Sequence, residues 1–236
     1  MGFYQELSKY YDEIFAVDAA EMGFVASLLR GRESLLDIGC GTGNKTVLLS
    51  DTARITGVDA DPGMIERARA DNARPGVRYD VLDMTELGGA LPPGSFDAAV
   101  CLGNTLVHLT KPEAVNALCR TVHALLVPGG VFACQILNYA RILDRKVTEL
   151  PVIDTAHTRF VRRYVPRGGL LGFATELTVK ETGETFCNET PLLPLRPEAL
   201  EAALGQAGFT RQEHYGSYAG GSFNEDSFVI ITAAVA

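Results

Sequence analysis

The sequence predicts an α/β protein built around a doubly wound parallel sheet. From residue 34 to residue 136, short apolar runs of strand length alternate with amphipathic runs of helix length, which is typical of strand–helix–strand units. The first apolar run ends in a glycine-rich turn, and the second ends at Asp59. Glycines and a carboxylate at the carboxyl ends of neighbouring parallel strands are suited to holding a nucleotide-like cofactor.

Two segments with helical character precede this core. Residues 3–15 mix aromatic with charged side chains, and residues 18–29 carry apolar residues at helical spacing. We therefore expect residues 1–33 to form an N-terminal helical cap and residues 34–136 to form a cofactor-binding core.

The elements of the core follow one another in regular alternation. Each expected strand is a short apolar run, and two of the expected helices begin with a recognisable start signal. The expected elements are strands at 34–38 and 54–58, a helix at 44–50, a helix that begins with Asp61 as N-cap and Pro62, strands at 77–81 and 96–102, a helix that begins with a capping box at Thr110 to Glu113, and a strand at 131–136 after Pro128-Gly129-Gly130.

The pattern changes after Tyr139. Three apolar runs separated by short glycine turns predict an antiparallel β-meander, which would form an inserted lid at 157–195. The α/β pattern then returns and closes the sheet at 196–236, so that 1–236 is expected to be a single domain. The expected elements are strands at 158–165, 170–180 and 185–195, a helix at 197–207 stopped by Gly208, and strands at 210–215 and 227–233.

Composition limits the partners and the compartment. The formal charge of −8 argues against nucleic acid or an anionic membrane as a partner, because phosphates are bound by clustered Lys and Arg. The one short basic run, Arg159 to Arg163, is interpreted as a solvated strand face. The sequence shows no secretory signal and no membrane-spanning run, and its five cysteines form no C-x-x-C pair. We expect a cytoplasmic protein with free thiols.

The spacing of the glycines in this turn indicates which cofactor is expected. Gly39, Gly41 and Gly43 alternate as G-x-G-x-G after Asp37, whereas dinucleotide enzymes typically show G-x-G-x-x-G. Together with VDADPGM at 58–64, VLDM at 81–84 and FDAAVCLGN at 96–104, the turn resembles the signature of class I S-adenosylmethionine-dependent methyltransferases. This resemblance implies a Rossmann-like seven-stranded sheet with an antiparallel last strand, and S-adenosyl-L-methionine as cofactor.

The resemblance also implies how the cofactor is held. Asp59 would bind the ribose, Asp83 would accept from the adenine amino group, and the carbonyl of Leu102 would meet the methionine ammonium. Met64 and Met84 would line the adenine faces, although each could equally be a core residue. The expected cofactor-binding residues are Asp37, Gly39, Gly41, Gly43, Asp59, Ala60, Met64, Asp83, Met84 and Leu102.

Candidate catalytic residues follow the fourth strand. Methyl transfer requires alignment of the acceptor, exclusion of water and, for some acceptors, removal of a proton. In the family, the segment here occupied by Gly103-Asn104-Thr105 faces the transferring methyl, which makes Asn104 and His108 candidates, joined by Tyr11 from the cap. His108 could be a base, a substrate partner or a structural histidine, and Tyr11 could simply join the helix to the core.

The substrate segment resembles that of glycine/sarcosine N-methyltransferases, with one departure. CLGNTLVHL at 101–109 and Asn138-Tyr139 match, but the family arginine that binds the amino-acid carboxylate falls on Leu137. Without a guanidinium the bidentate clamp is lost, which argues against glycine itself. The expected substrate-binding residues are Asn138, Tyr139, Arg141 and His214.

These observations predict methyl transfer to a small-molecule acceptor, with nitrogen favoured. Nucleobase methyltransferases carry a Pro-Pro-aromatic motif where this chain does not, which argues against DNA or RNA as substrate. An O- or C-methyltransferase, a non-catalytic S-adenosylmethionine binder and a nicotinamide-dependent oxidoreductase stay open as alternatives, the last disfavoured by G-x-G-x-G. No spacing of His, Cys, Asp or Glu suggests a metal site. The oligomeric state, a homodimer included, is left open.

Overall fold

Two β-sheets organise the computed structural model, which describes residues 3–236. Their strands are β1 (Ser34–Ile38), β2 (Arg54–Asp59), β3 (Val77–Val81), β4 (Phe96–Cys101), β5 (Leu126–Leu137), β6 (Ile153–Asp154), β7 (Thr158–Arg167), β8 (Leu170–Val179), β9 (Thr185–Leu192), β10 (Arg211–Tyr215) and β11 (Val229–Val235). The main sheet has the order β10-β11-β5-β4-β1-β2-β3, and the second has the order β6-β7-β8-β9.

Strand direction confirms the predicted fold class. Strands β1 to β5 pair in parallel, whereas β11 pairs antiparallel with both β5 and β10. The second sheet is an antiparallel meander. The molecule therefore has the predicted Rossmann-like seven-stranded sheet with an inserted β-meander.

Seven α-helices are described, and several begin or end where the sequence predicts. They are α1 (Phe3–Ile14), α2 (Ala19–Leu28), α3 (Pro62–Asp71), α4 (Leu87–Ala90), α5 (Pro112–Leu125), α6 (Tyr139–Asp144) and α7 (Pro197–Ala207). The Asp61 carboxylate accepts from the Met64 N–H at 3.0 Å and so caps α3. Gly208 ends α7 in the left-handed region, with φ of 107°. None of the described helices is long and apolar enough to cross a membrane.

Three local predictions were wrong. The helix expected at 44–50 is a short 3-10 turn, Thr46–Leu49. The capping box at Thr110 does not form, because the helix starts at Pro112 and its N-cap is Lys111, which makes no side-chain capping bond. Strand β5 begins at Leu126, so Pro128-Gly129-Gly130 lies within the strand beside a register shift between Phe96 and Ala98. Helices α4 and α6 and strand β6 were not predicted.

Apolar packing brings the cap and the second sheet together. Leu7 and Ile14 of α1 form one buried cluster with Phe160 of β7 and Leu177 of β8. The same helix is joined to the glycine turn, because the Thr42 hydroxyl donates to the Asp12 carboxylate at 2.5 Å. Helix α1 therefore lies between the meander and the carboxyl ends of the main-sheet strands.

Candidate active site

A cavity of about 920 Å³ lies at the carboxyl ends of the parallel strands. This volume is near the upper end of the roughly 300–1,000 Å³ that small-molecule sites occupy. Its walls come mainly from helix α1, the glycine turn with the ends of β2 and β3, the segment after β4, and the inner face of the meander, and residues of β5 and β11 complete the lining. The cavity is therefore large enough for a cofactor and a second small molecule.

The glycine turn presents bare backbone to this cavity. Gly39 and Gly41 have φ values of 76° and 57°, in the region that favours glycine. A Cβ atom on Gly39 would lie 2.5 Å from Cγ2 of Thr105, and one on Gly41 would lie 3.3 Å from the Tyr11 ring. Both positions thus require glycine, and Tyr11 closes over the turn. Gly43 lines neither cavity; a Cβ there would lie 2.6 Å from the Tyr79 ring, so its role is packing.

Asp59 lies beside the turn at the end of β2. One carboxylate oxygen accepts from the Gly41 N–H at 3.0 Å and the other from the Asp61 N–H at 2.9 Å. Burial raises the pKa of this carboxyl, against the lowering effect of its backbone hydrogen bonds. Because each oxygen can accept a second bond, the carboxylate keeps capacity for two ribose hydroxyls. The residues therefore fit a nucleoside.

The ends of β2 and β3 form the part of the cavity where adenine is expected. One oxygen of Asp83 accepts from the N–H and the hydroxyl of Thr85, at 2.8 and 2.6 Å, which leaves the other available for an amino group. Met64 is buried and Met84 is half-buried, and both line the cavity together with Ala60. This part of the site offers apolar surface and one acceptor, as an adenine ring requires.

A small adjoining cavity continues past the glycine turn and is lined by Asp37, Lys45, Leu102 and Thr105. The Asp37 carboxylate accepts from the Thr46 hydroxyl at 2.5 Å, and its burial raises the pKa to about 6. The Leu102 carbonyl accepts from the Thr105 hydroxyl at 2.7 Å. A carboxylate and a carbonyl that face a narrow space can accept from an ammonium group.

Asn104 lies at the cavity wall, but its side chain is engaged with the protein. Its backbone is left-handed, with φ of 68°. The side-chain oxygen accepts from the Leu137 N–H at 3.0 Å, and the amide nitrogen donates to the buried Tyr139 hydroxyl at 3.0 Å. Asn104 therefore joins the segment after β4 to the end of β5, which makes positioning the function that its contacts support.

His108 and Tyr11 also line the cavity. The imidazole of His108 has exposed surface that faces the cavity, while the surrounding protein lowers its pKa by desolvation. It makes no side-chain hydrogen bond within residues 3–236. A neutral imidazole that faces a cavity can accept a proton. Burial raises the pKa of the Tyr11 phenol, and the nearby Asp59 carboxylate adds to the effect, so Tyr11 stays protonated.

Comparison with known proteins agrees with this geometry. Residues 35–130 match the model of a methyltransferase domain. The chain is 32% identical over 130 residues to glycine/sarcosine N-methyltransferase of Parasynechococcus marenigrum, a match that covers 53% of this chain and 46% of that protein. It is 31% identical over 162 residues to ubiquinone biosynthesis O-methyltransferase of Xanthomonas euvesicatoria, which covers 66% of this chain and 62% of that protein.

Solved structures agree on the fold. An S-adenosylmethionine-dependent methyltransferase from Clostridium acetobutylicum has a TM-score of 0.80 at 18% identity, with 98% of each chain covered. The chain thus combines a methyltransferase-domain match at residues 35–130 with the fold of S-adenosylmethionine-dependent methyltransferases. The CcbJ methyltransferase from Streptomyces caelestis also has a TM-score of 0.80, at 20% identity, with 99% of this chain and 97% of that chain covered. The matches to the curated relatives span about half to three fifths of those relatives' length.

The structure does not bring four predicted substrate residues into the cavity. Asn138 is buried, and its amide oxygen caps α6 by accepting from the Arg141 N–H at 3.1 Å. Tyr139 is fully buried behind Asn104. Arg141 does not line the cavity, and Nδ1 of His214 lies 3.0 Å from the Thr232 hydroxyl at the far edge of the sheet. For Asn138, Tyr139 and Arg141 the reason is that α6 begins directly after β5 and holds them in its first turn and N-cap; His214 lies instead on β10, the edge strand of the main sheet.

The meander supplies cavity residues that the sequence reasoning missed. Its inner face carries Phe160, Arg162, Phe173, Thr175 and Asn188. The solvated-face interpretation of 159–163 holds for exposed Arg159 and Arg163 but is wrong for Arg162, which is half-buried. Strand alternation was the available signal, since Phe160 and Arg162 are two residues apart and must share a face.

Proposed function

We propose that this protein transfers a methyl group from S-adenosylmethionine to a small-molecule acceptor, with nitrogen as the favoured acceptor atom. The observation that carries this proposal is the shape of the cavity. One half has bare glycine backbone beside Asp59, and the other half is enclosed by the cap and the meander. A donor and an acceptor held in one enclosed space meet the geometric requirement of a direct transfer.

The cofactor half would be held by residues from the ends of β1 to β4. We assign the ribose to Asp59, the adenine amino group to Asp83 and the methionine ammonium to Asp37 and the Leu102 carbonyl. S-adenosylmethionine, when bound, supplies a methyl carbon made electrophilic by a sulfonium. Gly39 and Gly41 leave the space that this ligand needs, and Tyr11 covers it from the cap.

The acceptor half would orient the nucleophile and take up its proton. His108 is our candidate base for two reasons. It lines the cavity, and its lowered pKa favours the neutral imidazole that can accept a proton. Asn104 acts as a positioning residue through Leu137 and Tyr139. The apolar rings of Phe160 and Phe173 exclude water from the reacting groups.

Nitrogen is favoured because an amine needs only a weak base. One relative in sequence is a glycine/sarcosine N-methyltransferase, which supports this preference. Oxygen is the alternative, since an imidazole can also accept a hydroxyl proton, and another relative is a ubiquinone biosynthesis O-methyltransferase. We further propose that residues 1–236 act as one domain in the cytoplasm, where the five cysteines, all free, would stay reduced.

An acceptor screen tests the proposal. The protein is incubated with isotope-labelled S-adenosylmethionine and matched amines and alcohols, and mass spectrometry locates the label. We expect label on nitrogen for at least one amine and loss of product in a His108→Gln variant. Label found only on oxygen would instead support the O-methyltransferase alternative. Failure to bind S-adenosylhomocysteine in calorimetry would overturn the cofactor assignment.

A further inference from the structure

A row of polar side chains crosses the inner face of the meander. Arg162 of β7 lies opposite Thr175 of β8, and Thr175 lies opposite Asn188 of β9. All three residues line the large cavity. Paired residues on one face of an antiparallel sheet have Cβ atoms about 4.5–5.5 Å apart, so these side chains are neighbours.

Apolar residues flank this row on both sides. The row before it in β7 pairs Phe160 with Leu177, and the row after it pairs Tyr164 with Phe173. Phe160 and Leu177 are buried, and the Arg162 guanidinium lies 5.9 Å from the centre of the Phe160 ring. On β7 and β8 the polar row therefore lies between apolar residues, while on β9 the cavity lining continues with Thr190 opposite Phe173. Such a polar row on an apolar wall marks a point where a polar ligand group is recognised.

The charge of Arg162 is not balanced by the protein. Its Nη2 donates to the Pro151 carbonyl at 2.8 Å, while Nε is buried and has no hydrogen-bond partner. No ion pair joins Arg162 to any carboxylate within residues 3–236. Burial lowers the pKa of this guanidinium, although an arginine stays charged in any case.

Its neighbours on the opposite face of the same strand behave differently. Arg163 is exposed, and its guanidinium lies 2.9 Å from the Glu149 carboxylate. Arg159 is also exposed and lies 3.6 Å from Asp154. The solvent-facing Arg159 and Arg163 are thus each paired with a carboxylate of the same chain. The half-buried Arg162, which faces the cavity, has no such partner within the described residues. A half-buried charge without a counter-charge is costly, which indicates that an anionic ligand group in the cavity balances the Arg162 guanidinium.

We propose that Arg162, Thr175 and Asn188 form a subsite that binds a carboxylate of the acceptor. This inference rests on the proposed function and specifies its substrate class: a small molecule that carries both a methyl-accepting group and a carboxylate. The guanidinium balances one negative charge and matches the planar geometry of a carboxylate. Thr175 and Asn188 extend the polar wall beside it, and Phe160 and Phe173 contact the body of the ligand.

Calorimetry with a matched pair of probes tests this subsite. The full chain is saturated with S-adenosylhomocysteine and titrated with benzoate or with benzamide, which has the same shape and no charge. We expect benzoate to bind at least tenfold more tightly than benzamide, and Arg162→Gln to abolish this preference. Arg163→Gln removes an arginine from the other face of β7 and should leave the preference unchanged.

A second variant tests the subsite even if Arg162→Gln fails to fold. Thr175→Asp places a carboxylate directly opposite Arg162, so an internal ion pair should replace the ligand and remove the preference for benzoate. Equal affinity of the unaltered protein for the two probes, or equal loss in Arg163→Gln, would overturn the subsite. S-adenosylhomocysteine binding without a benzoate preference would remove this inference alone, whereas loss of S-adenosylhomocysteine binding would remove the proposed function.

Discussion

Replacing Asp59 by alanine is the sharpest test of the cofactor site. The carboxylate has one backbone donor on each oxygen and capacity for two ribose hydroxyls. A hydrogen bond to a charged group contributes about 1.5–3 kcal/mol, so two such bonds contribute about 3–6 kcal/mol. The Kd for S-adenosylhomocysteine should therefore rise by about 10²–10⁴.

The same substitution also affects the fold, and the size of this effect can be bounded. The N–H groups of Gly41 and Asp61 lose their acceptor, at a cost of about 1–3 kcal/mol for a buried group. Removal of a carboxylate whose pKa is raised by burial offsets part of this cost. We expect a net loss of about 1–3 kcal/mol, which a domain with about 5–15 kcal/mol of stability survives.

Asp97 offers a matched control at the amino end of the central strand β4, away from the cavity. One of its oxygens accepts from the Glu33 N–H at 3.1 Å and from the Ser34 hydroxyl at 2.7 Å. Asp97→Ala should therefore lower the free energy of unfolding by a similar amount without changing cofactor affinity. Urea unfolding and calorimetry measure both quantities for each variant. A Kd for Asp59→Ala within threefold of the original, or equal weakening by Asp97→Ala, would refute the reasoning.

Three further predictions concern the residues around this site. Asn104 has a positive φ, so Asn104→Gly should be about 1 kcal/mol more stable than Asn104→Ala in urea unfolding. Both variants should lose turnover more than cofactor affinity. A larger loss of cofactor affinity than of turnover would exclude a positioning role. The pKa of Asp37 is raised from 3.8 to about 6, so the folded state binds more protons than the unfolded chain between these values. The free energy of unfolding of the protein should therefore fall as pH rises from about 4 to about 6. Asp37→Asn should remove roughly 3 kcal/mol of this fall. Parallel curves of stability against pH for the variant and the original protein would contradict the assignment. The pKa of His108 lies below 6.5, so kcat/KM should decline only below that pH, and His108→Gln should abolish this acid limb; an unchanged limb in the variant would show that another group is titrating.

Local patterns were sufficient for most of the fold. Strands β1 to β4 and helices α3 and α7 lie close to their predicted bounds, because apolar periodicity, Asp61-Pro62 and Gly208 act within a few residues of the chain. At least one error lies beside a distant contact that local patterns do not show. The turn at 46–49, for example, follows Gly43, which packs against the Tyr79 ring.

In the candidate site, too, some residues could be predicted from local sequence and others depended on packing. The placement of Asp59 and Asp83 at the cavity followed from their positions at strand ends, since parallel strands bring their carboxyl ends to one edge. Met64 lies in the first turn of α3, which follows β2 closely. The directions of side chains after β5 depend on how α6 packs. Asn138, Tyr139 and Arg141 therefore matched a substrate motif in sequence yet lie outside the cavity.

The doubly wound sheet, the glycine turn with its carboxylate, and the family resemblance could all be predicted, because each depends on residues close together in the chain or on strand order. Which residues form the remaining cavity wall depends instead on packing between distant segments. The cavity is closed by helix α1 and by a meander whose strands lie more than a hundred residues away from that helix in sequence. Whether Arg162 faces solvent or the cavity depends on that packing, since a strand has two faces and its neighbours in space determine which one is buried.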